Sequence, residues 1–316
     1  MSFSTEVKTE LANLHHSECC SKAELSAMFH IGGSIEISSE GMQLVFQTTN
    51  NAVTRKVMKL AKELYHIDIE VLSKKTTSFQ KHDLFVLHIK DQVDYLINDL
   101  SLMNKNALFF QDTAPELIEK ECCKRAYLRG AFLAGGSCNS PETASYHLEI
   151  QTFSEPQAEV LANISKEFLL NTKVAKNKRG YIAYIKEAEK IADFLRVVGA
   201  TNSLFDYEDS RIKRDFKNSI NRVINCDIAN EKKAIDAANK QLEFIKIVED
   251  KLHDQIPDSM KEAIFLRKAY PESTLHELSY ASLEYFEDQI SKSALNHRFR
   301  AIRDLAISLQ IQEETL

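Results

Sequence analysis

The chain has 316 residues, of which 44% are hydrophobic and 27% charged, and its formal net charge at pH 7 is −6. This composition is typical of a soluble globular protein, and the length suits two or three domains that each bury a core. The acidic balance argues against a protein that coats nucleic acid without preference, because such binding depends on neutralising phosphates. The net charge does not exclude a protein that reads DNA through basic residues concentrated on one face.

Targeting features are lacking at the N-terminus and along the chain. No apolar run approaches the roughly 18 residues that span a bilayer. The polar N-terminus MSFSTEVKTE has none of the features of a signal peptide. We therefore expect a cytoplasmic protein that does not contact a membrane.

Four of the six cysteines form two adjacent pairs, Cys19 with Cys20 and Cys122 with Cys123. Adjacent pairs are a poor framework for disulfides, which favours reduced thiols. The stretch HHSECC, which ends at Cys20, suggests a zinc site. However, neighbouring residues on a helix point about 100° apart, and the second copy, IEKECC, lacks the histidines. We therefore predict small buried core cysteines and no bound metal.

The N-terminal part of the chain contains an internal repeat. At an offset of 103, ECCSKAELSAMFHIGGS (residues 18–34) aligns with ECCKRAYLRGAFLAGGS (residues 121–137), with 9 of 17 positions identical. Weaker similarity continues through LVFQT and LEIQT, and each copy reads as helix, strand, turn, strand, helix, strand, helix. We therefore predict a pseudo-symmetric duplication with halves at residues 1–105 and 106–205.

Small side chains recur every four residues in the first helix of each copy, which predicts that two helices pack closely. They are Ala23, Ala27 and Ile31 in the first copy and Ala126, Gly130 and Ala134 in the second.

Glycines and capping residues predict where these elements begin and end. The paired glycines of the two GGS turns, residues 32–34 and 135–137, predict helix ends in the left-handed conformation. TAPE at residues 113–116 predicts a capping box immediately ahead of the first helix of the second copy. SSEG at residues 38–41 and KRG at residues 178–180 predict turns between strands. A phosphate-binding loop is disfavoured because the GGS turns lack its glycine spacing and follow a helix, where the dipole is negative.

Beyond residue 202 the pattern is wholly helical, and we assign residues 206–256 to a basic connector. Between Arg211 and Lys240 there are eight Lys or Arg residues against four Asp or Glu. A solvated linker helix and a surface that touches DNA phosphates both explain this composition. The candidates for phosphate contact are Arg211, Lys213, Arg214 and Arg222.

Residues 257–316 predict two short helices, a turn and a longer basic helix, as in a helix-turn-helix module with its motif at about residues 275–309. In the third helix, one stripe is predicted to be buried and consists of Leu295, Phe299, Ile302, Ala306 and Leu309. The opposite face and its flanks carry residue types that read bases or hold phosphates. The predicted DNA contacts are Lys292, Ser293, Asn296, His297, Arg298, Arg300 and Arg303.

The duplicated unit, with LSAMFHIGG and LRGAFLAGG in its first helices, resembles the LAGLIDADG homing-endonuclease fold. In active members of that fold, the residue before the last glycine of the motif is an acid that holds a divalent metal. Those positions are Gly32 and Gly135 here, and glycine offers no ligand for Mg²⁺. Glu36 lies nearby, but its counterpart Asn139 is not a carboxylate. We therefore predict no catalytic residue, no metal and no cofactor.

Over essentially all 316 residues, the degenerate duplication, the connector NSINRVINCDIAN and the helix SKSALNHRFRAI resemble the WhiA family of Gram-positive transcription regulators. The resemblance implies an α+β fold, in which a duplicated LAGLIDADG-like αββαβα domain precedes an all-α helix-turn-helix domain similar to sigma-factor region 4. It also implies a non-catalytic, nucleoid-associated reader of double-stranded DNA, involved in transcription regulation, cell division and chromosome segregation, or in sporulation.

Two alternatives remain open. One is a residual divalent-metal endonuclease that uses a displaced acid such as Glu36. The other is a module on the duplicated domain that senses a ligand or binds cell-division or transcription proteins.

Overall fold

The computed structural model describes residues 2–39, 41–75, 83–103, 115–143 and 145–314. The chain divides into two compact units, Met1–Asp215 and Phe216–Leu316. Within the described ranges, no helix combines the length and the apolar character needed to cross a membrane.

The first unit starts with α1 (Phe3–Ala12), whose N-terminus is capped by the Ser2 hydroxyl. The first half of the duplication then follows as α2 (Glu18–Gly32), β1 (Gly33–Ser38), β2 (Gly41–Thr48), α3 (Asn51–Tyr65), β3 (Glu70–Lys75), β4 (Asp83–Ile89) and α4 (Val93–Asp99). Its strands form an antiparallel sheet in the order β1-β2-β4-β3.

The second half repeats this arrangement after a 3₁₀ turn at Pro115–Ile118. Its elements are α5 (Glu121–Gly135), β5 (Gly136–Cys138), β6 (Leu148–Thr152), α6 (Glu155–Glu167), β7 (Lys173–Asn177), β8 (Gly180–Ile185) and α7 (Ala188–Val198). The sheet order β5-β6-β8-β7 matches that of the first half. The predicted duplication is therefore confirmed.

The order of elements corrects the prediction in one respect, because each half is αββαββα rather than αββαβα. The additional strands are β3 and β7, which lie at the edges of their sheets. β7 reads KVAKN and is largely exposed, so it lacks the alternating apolar pattern by which a half-buried strand is recognised. Lysine-rich edge strands of this kind discourage pairing with other chains.

The first helices of the two halves, α2 and α5, pack against each other through the predicted small residues. Ala23, Ala27 and Ala126 are completely buried. At Gly130, an added Cβ would lie 2.2 Å from the backbone oxygen of Glu24. A larger side chain at this position would force the two helices apart.

The GGS glycines do not adopt the predicted left-handed conformation. Gly33 has φ −95° and ψ 161°, and Gly136 has φ −78° and ψ 148°. The chain passes directly from each helix into a strand, which requires extended backbone at this point. Lack of space explains the glycine instead, since a Cβ at Gly136 would lie 2.3 Å from Cδ2 of Phe132.

The prediction of a capped helix beginning at TAPE is also corrected. Thr113 and Ala114 lie outside the described residues, and Pro115 opens the 3₁₀ turn. α5 itself begins at Glu121, with Lys120 as its extended N-cap residue. The predicted turn at KRG is confirmed as the connection between β7 and β8. In SSEG, Glu40 lies outside the described residues, and Ser38 pairs with Gly41 where β1 and β2 meet.

A buried trio of charges joins the two halves and was not anticipated from the sequence. The Glu24 carboxylate is completely buried. It lies 2.8 Å from Nε of Arg129 and 3.4 Å from Nζ of Lys56. Arg129 also donates to the Val198 backbone oxygen and Lys56 to that of Leu14, so the two cations are tied to the backbone as well as to the acid.

α8 (Thr201–Leu252) starts in the first unit and continues into the second as one 52-residue helix. After a short 3₁₀ turn, the second unit contains α9 (Asp258–Ala269), α10 (Leu275–Tyr285) and α11 (Lys292–Glu314). Its core includes Val248, Leu266, Leu278, Leu295 and Phe299. α8 covers most of residues 206–256, and three helices follow it.

Candidate nucleic-acid interface

One face of α11 is anchored in the core of the second unit. Leu295, Phe299, Ile302 and Ala306 are all buried, as predicted. Leu309, the fifth residue of the predicted stripe, is only half-buried. A surface helix packs one apolar stripe against the core. The burial of this stripe therefore determines which side chains of α11 face outward.

A buried arginine fixes α11 against the rest of the module. The side chain of Arg267 is fully buried, and its guanidinium lies 5.4 Å from the centroid of the Phe299 ring. It donates to the Gln241 side chain at 3.0 Å and to the Ser273 backbone oxygen at 2.5 Å. Burial lowers the pKa of Arg267 to about 10, so the group is still charged at neutral pH.

Serine side chains set the turn between α10 and α11. The buried Ser282 hydroxyl donates to the Ser279 backbone oxygen at 2.7 Å and accepts from the Ile290 backbone nitrogen at 2.9 Å. Ser291 then caps α11, since its hydroxyl accepts from the Ala294 nitrogen at 3.2 Å. The start and direction of α11 are therefore determined by side-chain hydrogen bonds.

Five of the seven predicted contact residues lie on the outward side of α11 without a protein carboxylate. Asn296 is half-buried and the other four are exposed. Across the part of the chain that the structure describes, none of the five forms an ion pair. They are Lys292, Ser293, Asn296, His297 and Arg300.

The other two predicted contacts are engaged inside the protein. Arg298 forms an ion pair with Glu262 of α9. Arg303 binds the carboxylate of its neighbour Asp304 at 2.7 Å and remains exposed.

The four candidates in the connector also separate into two groups. Arg211 pairs with Glu208 at 2.8 Å. Arg214 donates to the backbone oxygen of Pro141 and lies 4.3 Å from the centroid of the Tyr146 ring. Lys213 and Arg222 are exposed on α8.

The positions of the missing nuclease acids lie at the ends of α2 and α5. A Cβ at Gly135 would be 2.6 Å from the Gln151 backbone oxygen, and one at Gly32 would be 2.8 Å from Cε2 of Phe46. A carboxylate at Gly135 would therefore require the backbone of β6 to move.

The remaining polar residues near these positions are engaged with neighbours. Glu36 of β1 accepts a hydrogen bond from Gln43 at 3.0 Å, and Asn139 donates to the Ser145 backbone oxygen at 3.1 Å. Glu149 of β6 accepts from His147 at 2.9 Å. Among the described residues, no symmetric pair of carboxylates lies near these positions.

The prediction that the cysteines are small core residues holds for only part of the set. Cys20, Cys123 and Cys138 are buried, whereas Cys19, Cys122 and Cys226 are exposed. His15 contacts Lys59 rather than a cysteine. The pattern of one adjacent pair does not show that the two pairs cluster, whereas the offset of the repeat signals that equivalent cysteines meet at the pseudo-dyad.

The two units together define a protein in which a duplicated LAGLIDADG-like domain is followed by a helix-turn-helix domain. Three family profiles match the chain: the WhiA N-terminal LAGLIDADG-like domain over residues 18–103, the WhiA LAGLIDADG-like domain over 124–217 and the WhiA C-terminal HTH domain over 220–306. The chain therefore belongs to the WhiA family.

Full-length relatives support this assignment. The chain is 43% identical over 312 residues to "Probable cell division protein WhiA" of Bacillus pumilus, with 98% of each chain covered. It is 42% identical over 311 residues to the protein of the same name from Bacillus velezensis, again with 98% of each chain covered. The crystal structure of full-length DUF199/WhiA from Thermatoga maritima has the same fold, with a TM-score of 0.58, 21% identity and coverage of 98% of this chain and 99% of that one.

Proposed function

We propose that this protein is a sequence-specific reader of double-stranded DNA that uses the outward face of α11 and does not cut its target. The observation that carries the proposal is the rigidly held, carboxylate-free row of donors on that face. Arg300 is suited to bidentate bonding with guanine and Asn296 with adenine. Ser293 and His297 serve bases or phosphates.

The N-terminus of α11 supports phosphate binding next to this row. α9 and α10 each carry an acid in their first turn, Asp258 and Glu277, whereas α11 carries none and begins with Lys292. A lysine at the positive end of a helix is unfavourable by itself and becomes favourable when an anion binds there. We assign Lys292 to a DNA phosphate.

Weaker phosphate contacts come from residues that are engaged elsewhere or lie on α8. Arg298 and Arg303 contribute when they leave their ion pairs with Glu262 and Asp304 and bind a phosphate instead. Lys213 and Arg222 are better placed than Arg211 and Arg214, which are held by protein partners. In the cell, we propose a cytoplasmic, nucleoid-associated regulator of transcription that acts in cell division and chromosome segregation.

The test is a binding titration of the full chain with its selected target duplex and with a random duplex at fixed salt. In the Asn296→Ala/Arg300→Ala variant, the affinity for the target should fall by about 10²- to 10⁴-fold, because each bidentate contact contributes about 1–3 kcal/mol. Binding to random DNA should change little, since it depends on phosphates.

A matched control is available on α3, where Asn51 and Arg55 are exposed with the same four-residue spacing. The Asn51→Ala/Arg55→Ala variant should bind both duplexes as the native chain does. Unchanged discrimination in the α11 variant would refute the proposal. Cleavage of supercoiled DNA with Mg²⁺ that is lost in Glu36→Ala would favour the endonuclease alternative instead.

A further inference from the structure

A cluster of four cysteines lies where α2 and α5 begin, at the junction of the two halves. One adjacent pair, Cys19 and Cys20, comes from α2, and the equivalent pair, Cys122 and Cys123, comes from α5. Among the described residues, these four sulfur atoms lie within 4.8 Å of one another. All four are free thiols.

The spacing of the sulfur atoms matches that of a tetrathiolate zinc site. With Zn–S bonds of about 2.3 Å, the edges of the tetrahedron are about 3.8 Å long. Sγ of Cys122 lies 3.9 Å from Sγ of Cys123. Adjacent cysteines are therefore able to supply two ligands to one ion, and the remaining sulfur atoms need to approach by no more than about 1 Å.

The surroundings of the cluster hold it in place. Cys20 and Cys123 are buried with Ala23 and Ala126 in a small apolar cluster separate from the main core. The close crossing at Gly130 keeps α2 and α5 together below this point. The geometry is thus provided by the helix packing and not by flexible loops.

The electrostatics favour thiolates at the exposed side of the cluster. The cluster faces the first turns of two helices, whose backbone N–H groups stabilise negative charge. The Ser17 hydroxyl lies 3.4 Å from the Cys19 sulfur and is placed to donate to a thiolate there.

We propose that these four cysteines bind one Zn²⁺ ion as a structural site that joins the two halves of the duplicated domain. Two ligands come from each half, so the ion crosslinks segments about a hundred residues apart. A closed Cys₄ set leaves no open position for a substrate, which makes the site structural and not catalytic. An iron–sulfur cluster is too large for this site, because its iron and sulfide atoms would have to fit between cysteine sulfur atoms that lie within 4.8 Å of one another.

Metal analysis of the full chain tests this proposal. We expect one zinc per chain after purification without a metal-affinity tag, and Co²⁺ substitution should give the intense visible bands of a tetrahedral thiolate site. The Cys19→Ser/Cys122→Ser variant changes only the exposed pair and should lose the ion. Cys226→Ser removes an exposed cysteine of α8 and should retain it.

A second measurement uses the native chain and does not depend on the folding of a variant. Zn²⁺ added to metal-free protein should slow alkylation of Cys19 and Cys122 by roughly tenfold or more, because the thiolates are coordinated. Cys226 should react at the same rate with and without zinc and serves as the internal reference.

Four results would overturn the assignment. They are a chain without stoichiometric zinc, zinc that stays in the Cys19→Ser/Cys122→Ser variant, iron in place of zinc, and a disulfide between the two pairs in freshly isolated native protein.

Discussion

The outer faces of the two sheets and the outward face of α11 differ in the charge that they offer to a nucleic acid. Glu149 lies between the buried Leu148 and Ile150 and so points away from the core, and Glu36 is exposed on β1. Each carboxylate accepts a hydrogen bond from a neighbouring side chain. α11 instead presents Lys292, His297 and Arg300, which have no acidic partner within the ranges that the structure describes. The first unit has glycine at Gly32 and Gly135, where the resemblance places the metal-binding acids, and the DNA-reading face that we propose belongs to the second unit.

The interiors of the two units also differ. The first unit joins its halves through the charged trio of Glu24, Lys56 and Arg129, whereas the second is mainly apolar around the buried Arg267. A buried charge that loses its partner is far more costly than an apolar residue that loses a contact. The two units should therefore respond differently to substitutions and to pH.

The largest effect is expected for Glu24→Ala, which leaves Lys56 and Arg129 as buried, uncompensated cations. We expect the first unit to lose about 3–5 kcal/mol of stability. Hydrogen exchange resolved by peptide should show faster exchange in α2 and α5 and unchanged exchange in α9 to α11. Glu36→Ala, which removes an exposed acid, is the control and should change stability by less than about 0.5 kcal/mol. If Glu24→Ala and Glu36→Ala lower the stability of the first unit equally, the proposed difference between the two interiors is refuted.

A smaller effect is expected from pH, through the buried His30. Its ring contacts the Ser101 backbone oxygen at 3.2 Å and the Tyr127 hydroxyl at 3.1 Å. Burial lowers the pKa of His30 from 6.5 to about 4. The unfolded chain therefore takes up a proton at higher pH than the folded chain, and stability falls as the pH drops from about 6.5 to about 4.

This linkage amounts to about 2 kcal/mol between pH 7 and pH 5, measured as the change in unfolding free energy of the first unit. His30→Gln should remove most of that pH dependence, and the second unit should not show it. His15→Gln is the control, because that ring is exposed. Burial also lowers the pKa of His16 to about 4, so His16→Gln should remove a smaller, solvent-screened share of the same dependence. If the pH dependence of stability persists in His30→Gln, other groups are responsible for it.

The smallest effect concerns salt. Lys292→Ala should reduce the slope of log affinity against log salt by about one and weaken target and random DNA alike. Lys173→Ala, on the edge strand β7 of the second sheet, should leave the slope unchanged. If both lysines contribute equally, the sheets also contact DNA, and the contrast between the two surfaces fails.

Much of the fold was predictable because its signals are local or repeated. The duplicated motif indicated the two halves, and the stripe from Leu295 to Ala306 indicated how α11 packs. The strands β3 and β7 are absent from the predicted order of elements because lysine-rich edge strands lack the alternating pattern, although the KRG turn itself predicts a strand on each side. The glycine conformation was predicted wrongly because a GG pair after a helix is typical of a left-handed cap, whereas here the constraint is the distance to Phe132 and Gln151.

The sequence by itself determined the repeat, the helical C-terminal part and the residue types available for reading DNA. Only the tertiary structure decided how these side chains are engaged: Arg298 is paired with Glu262, and Arg214 donates to the Pro141 backbone oxygen, while Arg300 has no carboxylate partner among the described residues. It also brought Cys19, Cys20, Cys122 and Cys123 into one cluster. The physical reason is that periodicity reports the face of one helix, whereas ion pairs and metal sites depend on distances between helices that are far apart in the chain.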